Sequence, residues 1–98
     1  AGIDFDLVAE IEGLTNIPLV VHGGSGIPVE ARQKLASTSR VAKFNIGTEL
    51  RMAFGQALHK SIASQPDVFD RINLLKPTIA SVKSATTDVI SQLYHPTQ

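Results

Sequence analysis

The chain has 98 residues, with nine Lys plus Arg balanced by nine Asp plus Glu. Zero net charge leaves no basic surplus for a nucleic-acid partner. The absence of Cys removes disulfides, thiolate chemistry and every Cys-based metal site. It also fits a reducing compartment. No stretch of about 18 apolar residues exists to span a membrane, and no charged segment precedes an apolar one, so no secretory signal is expected. With 43% hydrophobic and 18% charged residues the composition is that of one globular domain. Aromatic residues make up only 5%, so Val, Ile, Leu and Ala must build the core.

Residues 6–14 place Leu7, Val8, Ile11 and Leu14 at helical spacing, with Asp4 as N-cap. Residues 17–22, Ile-Pro-Leu-Val-Val-His, read as a buried strand that ends in a glycine cluster. Pro28 is placed to be the first residue of a helix running to about Ser37, with Glu30 in its first turn. A second apolar strand is expected over 41–46. Helix 48–63 follows, with Leu50, Ala53, Phe54, Ala57, Leu58 and Ile62 on one stripe. Pro66 and Pro77 each sit where a further helix can start, the last carrying Ile79, Val82, Val89, Ile90 and Leu93 on one side. The tail from Tyr94 through His95 and Pro96 to Gln98 reads as a frayed end.

Helices between apolar strands imply parallel pairing and an α/β fold. Two parallel strands leave two open edges and cannot cover both faces. A complete (βα)8 barrel takes roughly 250 residues. The expectation is therefore a portion of a larger barrel whose missing part lies on the N-terminal side of Ala1-Gly2-Ile3, an opening without Met.

Two motifs fall at the C-terminal ends of the expected strands, the edge where α/β folds carry their chemistry. The first is His22-Gly23-Gly24-Ser25-Gly26. Its glycines permit positive φ and close backbone approach. Its N–H groups and the Ser25 hydroxyl suit an anion at a helix N-terminus, or equally a plain βα turn. His22 suits a metal ligand, a general base or a hydrogen bond at the sheet rim. The second motif is Asn45-Ile46-Gly47-Thr48-Glu49, with Thr48 as N-cap and Glu49 in the first turn. Strict alternation puts Val41, Lys43 and Asn45 on one strand face and Ala42, Phe44 and Ile46 on the other. Lys43 is then expected to point inward, where it needs a carboxylate partner unless its ammonium snorkels to solvent.

The segments LVVHGGSGIP and VAKFNIGTELRMAF resemble the C-terminal third of the class II ketose-bisphosphate aldolases, the zinc-dependent fructose- and tagatose-bisphosphate aldolase family, over nearly the whole chain. The resemblance implies a (βα)8 TIM barrel in which residues 1–98 supply strands 7 and 8, their helices and a C-terminal helical extension. It implies that His22 is one of three zinc-binding histidines. By the same resemblance Gly23, Gly24 and Ser25, with Asn45, Ile46, Gly47 and Thr48, bind the substrate phosphate, and backbone carbonyls near the glycine loop hold a monovalent cation, Na+ or K+.

The implied reaction is reversible aldol cleavage of a ketose 1,6-bisphosphate to dihydroxyacetone phosphate and glyceraldehyde 3-phosphate. Zinc would act as Lewis acid, in a cytoplasmic, glycolytic homo-oligomer, dimer or tetramer. At Gly47 and Glu49 the fructose-specific branch often has Asp, and Gly47-Thr48-Glu49 looks more like the tagatose type. Ser37-Thr38-Ser39-Arg40 stands where a glycine-containing turn is common. The family's other zinc ligands and its catalytic acid and base match nothing in this chain, so residues 1–98 alone are expected to be inactive. His59 and His95 are expected on the surface. The competing reading is a non-enzymatic α/β module that binds phosphate or another anion.

Overall fold

A computed structural model describes residues 2–94; His95 and the rest of the tail lie outside the described residues. Asp4 starts the first helix as expected. Its carboxylate accepts from the Leu7 N–H at 3.0 Å, which satisfies one donor that a helix N-terminus leaves open. Helix α1 follows over Phe5–Leu14. Strand β1 is Leu19–Val21, shorter than the apolar run at both ends. Ile17 gives its N–H to the Thr15 hydroxyl and Pro18 has none to give a ladder. A single 3-10 turn, Gly24–Gly26, leads to α2 over Val29–Thr38. Pro28 stands just outside that helix, because its φ of −55° is helical but its ψ of 148° is extended. Strand β2 is Val41–Phe44, helix α3 is Thr48–Ser64 and helix α4 is Arg71–Leu93.

The two helices expected after α3 are one. Its start signal is Asp70, whose carboxylate accepts from Ile72 N–H and whose carbonyl accepts from Leu74 N–H. Pro77 lies inside α4 rather than opening a helix. The carbonyl that loses its donor to the proline ring belongs to Asn73, an exposed residue that water can serve. At the other end the Tyr94 N–H still donates to Ile90 at 2.8 Å.

Strands β1 and β2 pair in parallel, with Leu19 opposite Val41, Val20 opposite Lys43 and Val21 opposite Phe44. Ala42 therefore has no partner, and the register slips by one residue between Leu19 and Val20. This irregularity corrects the face assignment made from alternation. Val41 and Phe44 are the half-buried residues of β2, while Ala42 and Lys43 are exposed. An extra residue in a strand breaks the two-residue repeat, so Val41 no longer shares a face with Lys43, which stands opposite Val20; both Lys43 and Val20 are exposed in this chain.

Among the described residues, 2–47 with 90–94 form one compact unit, and 48–89 form a second. In the first, Leu35 is 1% exposed and Ile27 is buried as well. Arg40 ties α1 to the start of β2. Its guanidinium donates to the Glu12 and Thr15 carbonyls at the end of α1. Its N–H donates to the Glu12 carboxylate, which also pairs with its charge at 3.6 Å. A cation on the last carbonyls of a helix opposes the negative end of its dipole. Lys34 adds a cation–π contact, 4.1 Å from the Phe5 ring centroid.

Helix α2 ends without glycine. The hydroxyls of Ser37, Thr38 and Ser39 donate to the carbonyls of Gln33, Lys34 and Leu35, and Ser39 Oγ accepts from the Val41 N–H. This accounts for the Ser-Thr-Ser-Arg turn, in which no residue takes positive φ. In the second unit the buried Ser61 hydroxyl donates to the Leu74 carbonyl at 2.8 Å and accepts from Gln65. That joins α3 to α4.

The core is small for the apolar content. Phe69 is 94% exposed and Leu14 85%; Ile17, Met52, Ile62, Ile72, Ile79 and Ile90 are exposed as well. Burying one such side chain contributes about 1.5–3 kcal/mol, which these residues forgo here. Among the described residues no helix is long and apolar enough to cross a membrane. The 98-residue chain purified alone is expected to self-associate or to lose structure without a sharp transition. Light scattering and thermal unfolding followed by near-UV circular dichroism check this; a monodisperse monomer with a cooperative melt would contradict it.

Candidate functional site

The C-terminal ends of β1 and β2 carry the two motifs side by side. The ladder continues past both strands. Asn45 N–H donates to the Val21 carbonyl at 2.8 Å, and Gly24 N–H donates to the Asn45 carbonyl at 3.0 Å. Two successive bonds thus hold the Asn45 backbone against the start of the glycine loop. Between them His22 turns out of the strand end, exposed. Its Nδ1 lies 2.9 Å from the Nδ2 of Asn45.

Each of the first two glycines has its own reason. Gly23 has φ +66°, a left-handed conformation that costs other L-residues roughly 1–2 kcal/mol. Gly24 is buried, and a Cβ there would lie 2.8 Å from Ile46 Cγ1 and 3.3 Å from the Asn45 carbonyl oxygen. The loop then closes on itself, with Gly26 N–H on the Gly23 carbonyl and Ile27 N–H on the Gly24 carbonyl. The N–H groups of Gly24, Gly26 and Ile27 are therefore engaged within the protein, and Ser25 sits half-buried in the same turn.

The structure brings His22, Gly23, Gly24, Ser25, Asn45 and Ile46 together in the first unit, of which Gly47 is the last residue before α3. Thr48 belongs to the second unit. There α3 begins on Thr48 itself rather than after it, and its hydroxyl accepts from Arg51 at 3.1 Å. His59 is exposed on α3, as expected. The His22–Asn45 contact was not visible in the sequence, where the two residues stand 23 positions apart; only the strand pairing joins them.

A catalytic zinc takes three protein donors and one water. His22 offers one exposed imidazole of suitable chemistry. Among the described residues no three His, Cys, Asp or Glu side chains come together to hold a metal. These residues by themselves do not complete a zinc centre.

The family model described as class-II fructose-bisphosphate aldolase matches residues 1–96, and the chain belongs to that family. Three relatives, each named fructose-bisphosphate aldolase, are similar over most of the chain. The protein of Geobacillus stearothermophilus is 37% identical over 82 residues, covering 84% of this chain and 28% of its own length. Those of Mycoplasma pneumoniae and Mycoplasma genitalium are 41% and 42% identical over 88 residues, covering 83% of this chain and 30% of theirs. The chain thus spans less than a third of the length of the relatives it matches.

Gly24→Ala is expected to push Ile46 aside and loosen the join between the loop and β2, costing about 1–3 kcal/mol as overpacking does. Gly23→Ala meets no neighbour within 4 Å and carries only its backbone strain, so Gly23→Asn, which tolerates left-handed φ, is expected to recover part of the loss. Denaturant titration of the variants in the protein made from its full reading frame checks the order. Equal stability of Gly24→Ala and the unaltered protein would contradict it.

Proposed function

We propose that this chain is the C-terminal part of a (βα)8-barrel class II aldolase, strands 7 and 8 with a helical extension, which cleaves a ketose 1,6-bisphosphate to dihydroxyacetone phosphate and glyceraldehyde 3-phosphate with zinc. The observation that carries the reading is the placement of His22 and Asn45 in contact at the C-terminal ends of two parallel strands, within a chain that belongs to the aldolase family. That end of a barrel is where substrates and catalytic groups gather. The names of the relatives favour fructose over tagatose as the parent sugar.

In this reading His22 is one metal donor, and the remaining donors and the acid–base groups come from residues outside this chain. Gly23, Gly24 and Ser25 face the substrate phosphate from one loop; Asn45, Ile46, Gly47 and Thr48 face it from the next. The Ser25 hydroxyl and the Asn45 carboxamide are polar side chains of these two loops suited to a phosphate. A hydrogen bond to a charged acceptor contributes about 1.5–3 kcal/mol. Energy gained on this remote group helps to orient the carbon skeleton. Residues 1–98 by themselves are inactive in this reading, and the full protein is a cytoplasmic homo-oligomer.

His22→Ala in the protein from the full reading frame is expected to lower bound zinc and the cleavage rate together. Metal analysis and a cleavage assay on the same preparation check it; unchanged zinc content and rate would refute the role of His22. Ser25→Ala is expected to raise KM for the bisphosphate by roughly 10- to 100-fold, the loss of one charged hydrogen bond. A substrate analogue lacking that phosphate should lose nothing further, and an identical loss with the analogue would contradict the assignment.

A further inference from the structure

We infer that Lys43 is a further binding residue of this site, its ammonium meeting a phosphate oxygen of the ligand held between the two loops. This deepens the proposed function and rests on the phosphate lying at these strand ends. Val20 pairs with Lys43 and Val21 with Phe44, and the Asn45 N–H on the Val21 carbonyl continues the ladder, so the pairing is regular from Lys43 onward. Residues two apart on a strand share a face. Lys43 therefore lies on the face of Asn45, and Val20 on that of His22. The contact of the Asn45 carboxamide with the His22 ring at 2.9 Å makes these one face. It is also the open one: Val20, His22 and Lys43 are exposed, whereas Leu19, Val21 and Phe44 are half-buried.

Charge decides what Lys43 does there. A phosphate monoester carries about −1.5 to −2 charge at neutral pH, and the loop residues proposed to face it bring no formal positive charge. The described cations of the first unit are Arg32, Lys34, Arg40 and Lys43. Three are engaged elsewhere. Arg32 is buried on α2, Lys34 lies over the Phe5 ring, and Arg40 grips the end of α1. Lys43 is the fourth, exposed and two residues before Asn45. Two residues of strand rise about 6–7 Å, a span that the flexible four-carbon stem and ammonium of lysine can follow. The charge can thus be delivered to the level of Asn45. An ammonium serves a phosphate as a point charge with three rotatable donors and needs no fixed fork geometry.

Inorganic phosphate is the probe, titrated by calorimetry into the metal-stripped protein made from the full reading frame. Lys43→Met keeps the length of the stem and removes the charge. It is expected to weaken phosphate binding by roughly 10-fold or more and to flatten its dependence on salt, while Lys43→Arg recovers part of the affinity. Unchanged phosphate binding in Lys43→Met would overturn the proposal, and a lowered melting temperature alongside it would mark a lysine paired with a carboxylate instead. Should Lys43→Met not fold, the unaltered protein decides. Phosphate is expected to shield the Lys43 amine from acetic anhydride while Lys60 and Lys83 on α3 and α4 react as before; equal labelling of Lys43 with and without phosphate would overturn the proposal. The titration uses neither zinc nor cleavage. An unaltered protein that binds no phosphate would refute the phosphate reading of both loops along with Lys43, whereas binding that Lys43→Met leaves intact refutes Lys43 alone.

Discussion

The backbone of Asn45 is held from both sides, by its own N–H on the Val21 carbonyl and by the Gly24 N–H on its carbonyl. These two bonds extend the parallel ladder beyond the last residues of β1 and β2 and into the loops that follow. Everything at the end of the sheet depends on that extension. It draws the glycine loop so close to Ile46 that no side chain fits at Gly24. It forces the turn at Gly23 into left-handed φ, and it sets the His22 ring against the Asn45 amide. The loop's composition is thus explained first by close approach of backbone to backbone.

The rest of the chain is held by local devices more than by a shared core. Asp4 and Asp70 begin helices with their carboxylates. A run of hydroxyls ends α2, and Arg40 grips the end of α1. Ser61 joins α3 to α4. Each of these contributes about 0.5–1.5 kcal/mol, while large apolar residues such as Phe69 and Leu14 remain in water. Parallel sheets are ordinarily covered on both faces and flanked by further strands. Here two strands stand with Val20 48% exposed. The chain spans less than a third of its relatives' length, and large apolar residues among those described stay uncovered.

Much of the element order was legible because the deciding signals are local. A carboxylate at Asp4, β-branched residues around Val20 and Val41, and a regular apolar stripe through Leu50, Ala57 and Leu58 act over a few residues and need no knowledge of the fold. The errors arose where a local rule met a longer-range one. Pro77 looked like a helix start, yet Asp70 had already started α4, and an exposed Asn73 carbonyl tolerates the missing donor. Val41 looked as if it shared a face with Lys43 because alternation was counted straight through the strand, and one unpaired residue, Ala42, shifts the count. Nothing in the composition of Val-Ala-Lys-Phe announces that irregularity.

The sequence by itself determined the type of most elements, the glycine loop after the first strand, and membership of the class-II aldolase family, since these rest on residue types at short spacing. It also carried the family's motif residues, His22 and the Asn45-to-Thr48 run, in recognisable order. Tertiary structure decided the register of β1 against β2, the solvent exposure of Lys43, the steric need for glycine at position 24 and the contact between Asn45 and His22. The physical reason is the same for each. Parallel pairing joins segments more than twenty residues apart, and the residue that faces a given partner depends on hydrogen bonds between backbones that carry no side-chain identity. Sequence names the groups that can react, and the pairing of the strands selects which of them meet.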